Sequence, residues 1–90
     1  MFTIQLSRTA QKALDKLPSN VTKKIFIHLE ELKIDPYRPR PLMDIVPVAG
    51  SDEKYRLRVG KLRVEYEVDE DENIIKVLKI FPKKRKSDYR

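Results

Sequence analysis

Ninety residues make one small domain, read here as a single unit over residues 1–90, with 40% hydrophobic residues, 38% charged residues and a net charge of +6. The absence of cysteine excludes disulfides and thiolate chemistry. The single histidine, His28, argues against a histidine-based metal site, so neither a metal nor a cofactor is expected. No apolar run approaches the roughly 18 residues of a membrane span, and the N-terminus lacks a charged start followed by an apolar run, so the chain reads as soluble, cytoplasmic and without a membrane partner.

Phe2, Ile4 and Leu6 alternate with polar residues and predict a first strand over 2–7. Ser7 is placed to cap a following helix, in which Ala10, Ala13, Leu14 and Leu17 form one apolar stripe that Pro18 ends. Ser19 is placed to cap a second helix reaching to about Asp35, where Pro36 disfavours continuation. Its stripe is Val21, Ile25, His28, Leu29 and Leu32, so His28 reads as a core or boundary residue. The short Leu-Pro-Ser-Asn connection predicts an antiparallel helical pair. On the outer side of the second helix, Ile27 and Ile34 stand one heptad apart and suit either a docking strip or ordinary surface packing.

Residues 36–52 hold four of the six prolines and predict a loop, with room for a short extended piece at Asp44–Val46. Strand patterns follow at 54–59, 62–68 and roughly 74–81. Gly60-Lys61 supplies a two-residue turn with glycine first, as a type II′ hairpin requires, and 69–73 is a second polar turn. The last strand is apolar at nearly every position, which suggests a place inside the sheet. A basic tail occupies 82–90. The expected fold class is α+β, in the order β-α-α-β-β-β. A helical hairpin lies on one face of a small, mainly antiparallel sheet, and the other face is left to solvent or a partner.

The charge is unevenly spread. Residues 54–63 carry +5 and 83–90 carry +4, whereas 64–82 carry −4. A polyanion, most often nucleic acid, is the partner such a pattern points to. The turn at 60–61 sets the hairpin register. Tyr55, Leu57, Val59, Leu62, Val64, Tyr66 and Val68 fall on the core face, and Arg56, Arg58, Arg63, Glu65 and Glu67 on the other. Arg56 then opposes Glu65, an ordinary ion pair, but Arg58 opposes Arg63, a like-charge pair that costs up to about 1 kcal/mol. An anion held between the two guanidiniums would account for it. So would side chains splayed into water, or an acid reaching in from another strand or the loop.

Lys83, Lys84, Arg85 and Lys86 form a continuous basic run, and Tyr89 adds a ring that could stack on a base or a hydroxyl that could join in chemistry. If the chain is an enzyme, its groups are arginine, lysine and tyrosine. These suit electrostatic stabilisation of a phosphorane-like transition state, and a lysine or tyrosine base would need a depressed pKa.

Four stretches together resemble the RelE/ParE toxin superfamily, especially archaeal RelE-type proteins. They are ALDKLP (13–18), a helix ending in Asp35-Pro36, KYRLRVGKLRVEYEV (54–68) and IIKVLKIFPKKRKSDY (74–89). The most specific element is Tyr-Arg-x-Arg-x-Gly-x-x-Arg-x-x-Tyr at 55–66. The resemblance implies a toxin of a type II toxin–antitoxin system, a metal-independent, ribosome-dependent mRNA endonuclease that inhibits translation. Its partners would be the ribosome, mRNA and a RelB-like antitoxin with acidic and apolar residues. In that family the 2′-OH attacks the adjacent phosphate while basic residues on the sheet stabilise the charge. The implied catalytic set is Arg63, Arg58, Arg56, Lys84 or Arg85, and Tyr89, with Lys54, Lys61, Lys79, Lys83 and Lys86 as RNA contacts. Arg56 and Arg58 stand where some members have two lysines, which disfavours a lysine base there. The alternatives are a ParE-like inhibitor of DNA gyrase and a non-catalytic RNA-binding or degenerate toxin.

Overall fold

The structure is a computed structural model that describes residues 1–83. Strand β1 (Thr3–Leu6) leads into α1 (Arg8–Asp15), and α2 spans Ser19–Ile34. Ser7 caps α1, accepting from the Ala10 N–H at 3.0 Å, and its hydroxyl donates to the Leu78 carbonyl at 2.7 Å. One side chain therefore starts a helix and ties the first strand to the last. Ser19 is the first helical residue of α2 rather than its cap. Pro18 holds the cap position, and its carbonyl accepts from the N–H groups of Val21 and Thr22 at 3.0 Å each. Pro18 fixes the entry to α2 without a side-chain acceptor. Ala10 and Leu14 of α1 and Ile25, Leu29 and Leu32 of α2 are buried, while His28 sits at the margin with its Nδ1 donating to the Lys24 carbonyl at 2.8 Å.

Four strands follow: β2 (Asp44–Pro47), β3 (Lys54–Val59), β4 (Leu62–Asp69) and β5 (Ile74–Pro82). The order is thus β-α-α-β-β-β-β. The extended piece in the proline-rich segment is a full edge strand, with Ile45 opposite Leu57 and Asp44 opposite Arg58. Its single inward apolar residue leaves almost no alternation to read, and Pro47 is tolerated because an edge strand has one side unpaired. The five strands run β1-β5-β4-β3-β2, with β1 parallel to β5 and every other pair antiparallel.

The hairpin register is as the two-residue turn predicts, from Val59 opposite Leu62 through Arg58 opposite Arg63 to Tyr55 opposite Tyr66. Gly60 has φ +59°, the left-handed conformation that the first position of this turn requires. Leu57, Val59, Val64, Tyr66 and Val68 are buried beneath the helices together with Ile75, Val77 and Ile80. A β-bulge in the β4–β5 ladder pairs Glu65 with Lys79 but Tyr66 with Val77. Without it, Ile75 and Val77 facing inward would put Lys79 and Phe81 inward as well. With it, Ile80 points into the core, and Lys79 and Phe81 point out.

Beyond α2 the chain is pinned by Arg40. Its guanidinium donates to the carbonyls of Asp35 (3.1 Å), Arg38 (2.7 Å) and Glu31 (3.0 Å), and so satisfies helix-end acceptors. Asp35 accepts from the N–H groups of Tyr37 (2.9 Å) and Arg38 (3.1 Å), and these two bonds hold its carboxyl below the ordinary value of 3.8. Arg40 and Met43 close a tight turn through mutual backbone bonds, and Leu42 within it has φ +69° while 86% exposed. An aromatic ladder runs from Phe2 through Tyr37 and Tyr55 to Tyr66, whose buried hydroxyl donates to the Pro36 carbonyl at 2.6 Å.

Candidate nucleic-acid interface

Both helices lie on one face of the sheet, and among the described residues no element covers the other. That open face is a lattice set by the register. One row across it runs Asp44, Arg58, Arg63, Phe81, and the next runs Val46, Arg56, Glu65, Lys79. A third holds Lys54, Glu67 and Lys76, with Gln5 beyond. Arg56, Arg58, Arg63, Lys54 and Lys79 therefore share one surface.

The three arginines are not equivalent. Arg56 pairs with Glu65 at 3.3 Å, and Lys79 approaches the same carboxylate at 3.7 Å. Glu65 is only 8% exposed, so this cationic brace neutralises a buried acid, as the hairpin register predicts for Arg56. The Arg56 Nε is buried without a hydrogen-bond partner, and its guanidinium extends across β4 to lie 5.8 Å from the Phe81 ring centroid. Arg58 is not left unpaired as part of an isolated couple. Its Nε lies 2.9 Å from Asp44 Oδ2, the acid from a neighbouring strand that relieves the opposed charges. Arg63 turns the other way and donates to the carbonyls of Leu62 (3.0 Å) and Gly60 (3.3 Å). Of the three, it alone has no carboxylate within ion-pair distance among the described residues.

Lys61 occupies the turn, and its carbonyl accepts from the Lys83 N–H at 2.9 Å, so Lys83 stands beside the hairpin tip. A further cation joins this end: the Lys24 ammonium of α2 lies 3.7 Å from where a side chain at Gly60 would begin. Lys84, Arg85, Lys86 and Tyr89 lie outside the described residues. At the far end of the hairpin the sign reverses. A cavity of about 500 Å³ there is bordered by Asp52, Glu53, Glu67, Asp69, Glu70 and Asp71, with Lys76 Nζ 3.9 Å from Asp69. Charge along the β3–β4 ribbon thus runs from cationic at the Gly60-Lys61 tip to anionic at its base. Such a field orients an approaching polyanion toward the tip.

Neither tyrosine with a displaced pKa suits proton abstraction. Burial, with Glu70 beside its hydroxyl, raises Tyr37, and burial raises Tyr66. What the open face offers is charge stabilisation by guanidinium and ammonium groups. Sequence reasoning missed Asp44, Lys24 and Phe81. Asp44 and Phe81 depend on an edge strand and a bulge that have no clear local pattern, and Lys24 on how a helix passes the hairpin tip.

A family model described as the ParE toxin of type II toxin–antitoxin system, parDE, matches residues 4–87. RelE1 of Methanocaldococcus jannaschii is 40% identical over 79 residues, which covers 88% of this chain and 87% of that protein. A chain of the archaeal RelE–RelB complex from Pyrococcus horikoshii OT3 superposes with a TM-score of 0.81 at 29% identity, covering 93% of this chain and 97% of the other. For the RelB–RelE antitoxin–toxin complex from Methanococcus jannaschii the TM-score is 0.71 at 27% identity, covering 94% and 96%. The isolated E. coli RelE toxin, at 20% identity, shares the fold with a TM-score of 0.80 over 99% of this chain and 92% of that one.

Proposed function

The chain belongs to the ParE toxin family of type II toxin–antitoxin systems, within the RelE/ParE superfamily, and from that premise we propose that it is a ribosome-dependent mRNA endonuclease neutralised by a RelB-like antitoxin. The observation that carries this reading is the uncovered sheet face, where Arg56, Arg58 and Arg63 stand with Lys54 and Lys79 beside a turn bearing Lys61 and Lys83. Such a surface suits a phosphodiester in reaction. The 2′-OH gives up its proton as its oxygen bonds to phosphorus, the P–O5′ bond breaks and the leaving O5′ takes up a proton, and the charge developing on the phosphoryl oxygens is met by guanidinium donors. Arg63 is the group of choice for that contact, since its present acceptors are two carbonyls that a phosphate readily replaces. Lys84, Arg85, Lys86 and Tyr89 belong to the same proposal as tail contributions. The antitoxin assignment draws on the complexes with RelB among the structural relatives.

Primer extension on a translated message tests the reading. Wild-type protein should give cuts in phase with codons, and Arg63→Ala should lose them while remaining folded. An uncut message with wild-type protein would remove the endonuclease assignment. Because the family model is described as a ParE toxin, we keep a ParE-like inhibitor of DNA gyrase as the second reading. Inhibition of supercoiling by the purified protein, with no cleavage of translated mRNA, would move the assignment there.

A further inference from the structure

Among the described residues, one aromatic ring stands with the cations on the uncovered sheet face. Phe81 is the cross-strand neighbour of Arg63, is partly exposed, and lies outside the apolar cluster that joins the helices to the sheet. The other ring-bearing residues of the sheet, Tyr55 and Tyr66, are stacked on the core side. Phe81 faces outward only because of the bulge after Glu65, which interrupts the ladder at a position where a regular strand would have buried the ring. Lys79 Nζ lies 5.4 Å and Arg56 Cζ 5.8 Å from its centroid. A half-buried phenylalanine on a face that no described element covers gains less for folding than a core ring. A ring with a guanidinium and an ammonium over it, directly opposite Arg63 on the neighbouring strand, has the composition of a base-stacking platform.

We propose that Phe81 stacks a nucleobase of single-stranded RNA, the base belonging to the nucleotide whose phosphate, or whose neighbour's phosphate, Arg63 holds. The proposal deepens the RNA-directed reading above and rests on it. Stacking on Phe81 would set the position of the chain on the sheet with little preference for base identity, since every base has a π-face. Arg56 contributes twice, bracing Glu65 and offering its guanidinium plane beside the stacked base.

The full-length protein, Phe81→Leu and Phe81→Trp are titrated with a short single-stranded RNA oligomer and with the same oligomer carrying an abasic position. Phe81→Leu keeps apolar bulk and removes the π-face, so it should weaken binding of the intact oligomer about tenfold. The abasic oligomer should bind wild type and Phe81→Leu alike. The chain contains no tryptophan, so Phe81→Trp introduces a unique reporter whose emission the intact oligomer should quench. Equal affinity of wild type and Phe81→Leu for the intact oligomer, or an unquenched Phe81→Trp that still binds, would overturn the stacking role and leave the RNA reading standing. Failure of wild type to bind either oligomer at low salt would overturn both. If Phe81→Leu does not fold, the Phe81→Trp emission decides.

Discussion

Replacing Asp44 by asparagine should make the protein bind RNA more tightly. Asp44 Oδ2 lies 2.9 Å from Arg58 Nε, and the two side chains are 49% and 58% exposed. An ion pair so open to water contributes about 0–1 kcal/mol to folding, so the substitution should barely move the unfolding midpoint. At the RNA the same carboxylate is a competitor, because a phosphate reaching Arg58 must displace it. Removing one unit charge about 4 Å from the incoming phosphate is worth about 1 kcal/mol in water, or roughly fivefold in affinity. One additional neutralised phosphate also steepens the dependence of log K on log salt by about 0.7 for a single strand. Between 50 and 200 mM salt that is a further loss of about 2.6-fold relative to wild type. Fluorescence anisotropy of a labelled RNA oligomer across that range measures both quantities. Arg58→Ala should accordingly cost more in the Asp44→Asn background than in the wild type. An unchanged affinity and slope in Asp44→Asn, with equal Arg58→Ala effects in both backgrounds, would refute the competition.

Tyr66→Phe should destabilise the fold by about 1–2 kcal/mol, since it strands the carbonyl of fully buried Pro36, and a lower urea midpoint with unchanged slope would show it. Asp35 is bound more tightly to its partners when ionised, so its folded pKa lies below its unfolded one and its stabilisation is complete above about 3.8 and lost as pH falls through the folded value. The stability gap between wild type and Asp35→Asn should therefore be constant near neutrality and shrink only in acid below that point. A gap independent of pH would contradict the bonding described. Leu42→Gly should stabilise by about 0.5–1 kcal/mol, because a leucine at φ +69° follows Pro41 in a type II-like turn that suits glycine. Thermal unfolding checks the sign.

The hairpin was legible from sequence because a glycine-first turn of two residues leaves only one register, and that register carries the core face and the Arg56–Glu65 pair with it. The partner of Arg58 was not legible. Asp44 comes from a strand that ends in proline and buries only Ile45, so it has none of the alternation by which strands are read. Phe81 illustrates a different obstacle. Strand parity is a reliable guide only between irregularities, and one extra residue at Leu78 exchanges the faces of everything after it. The helix start at Ser7 was readable from its side chain, whereas α2 begins one residue earlier than a search for a polar cap suggests, on the backbone of Pro18.

The position of β5 has a temporal meaning. Among the described strands it is the last in chain order, yet it lies between β1, the first, and β4, and α1 packs against it. Until Val77 and Leu78 exist, the first strand has no neighbour and the Ser7 hydroxyl has no acceptor. Contacts of such long sequence separation also form slowly. A chain interrupted before β5 therefore has the arginines of β3 and β4 but lacks Lys79 and Phe81 of the open face and the strand that ties β1 to the sheet. Entry of β5 between β1 and β4 is thus the step that joins the two ends of the described chain into one sheet.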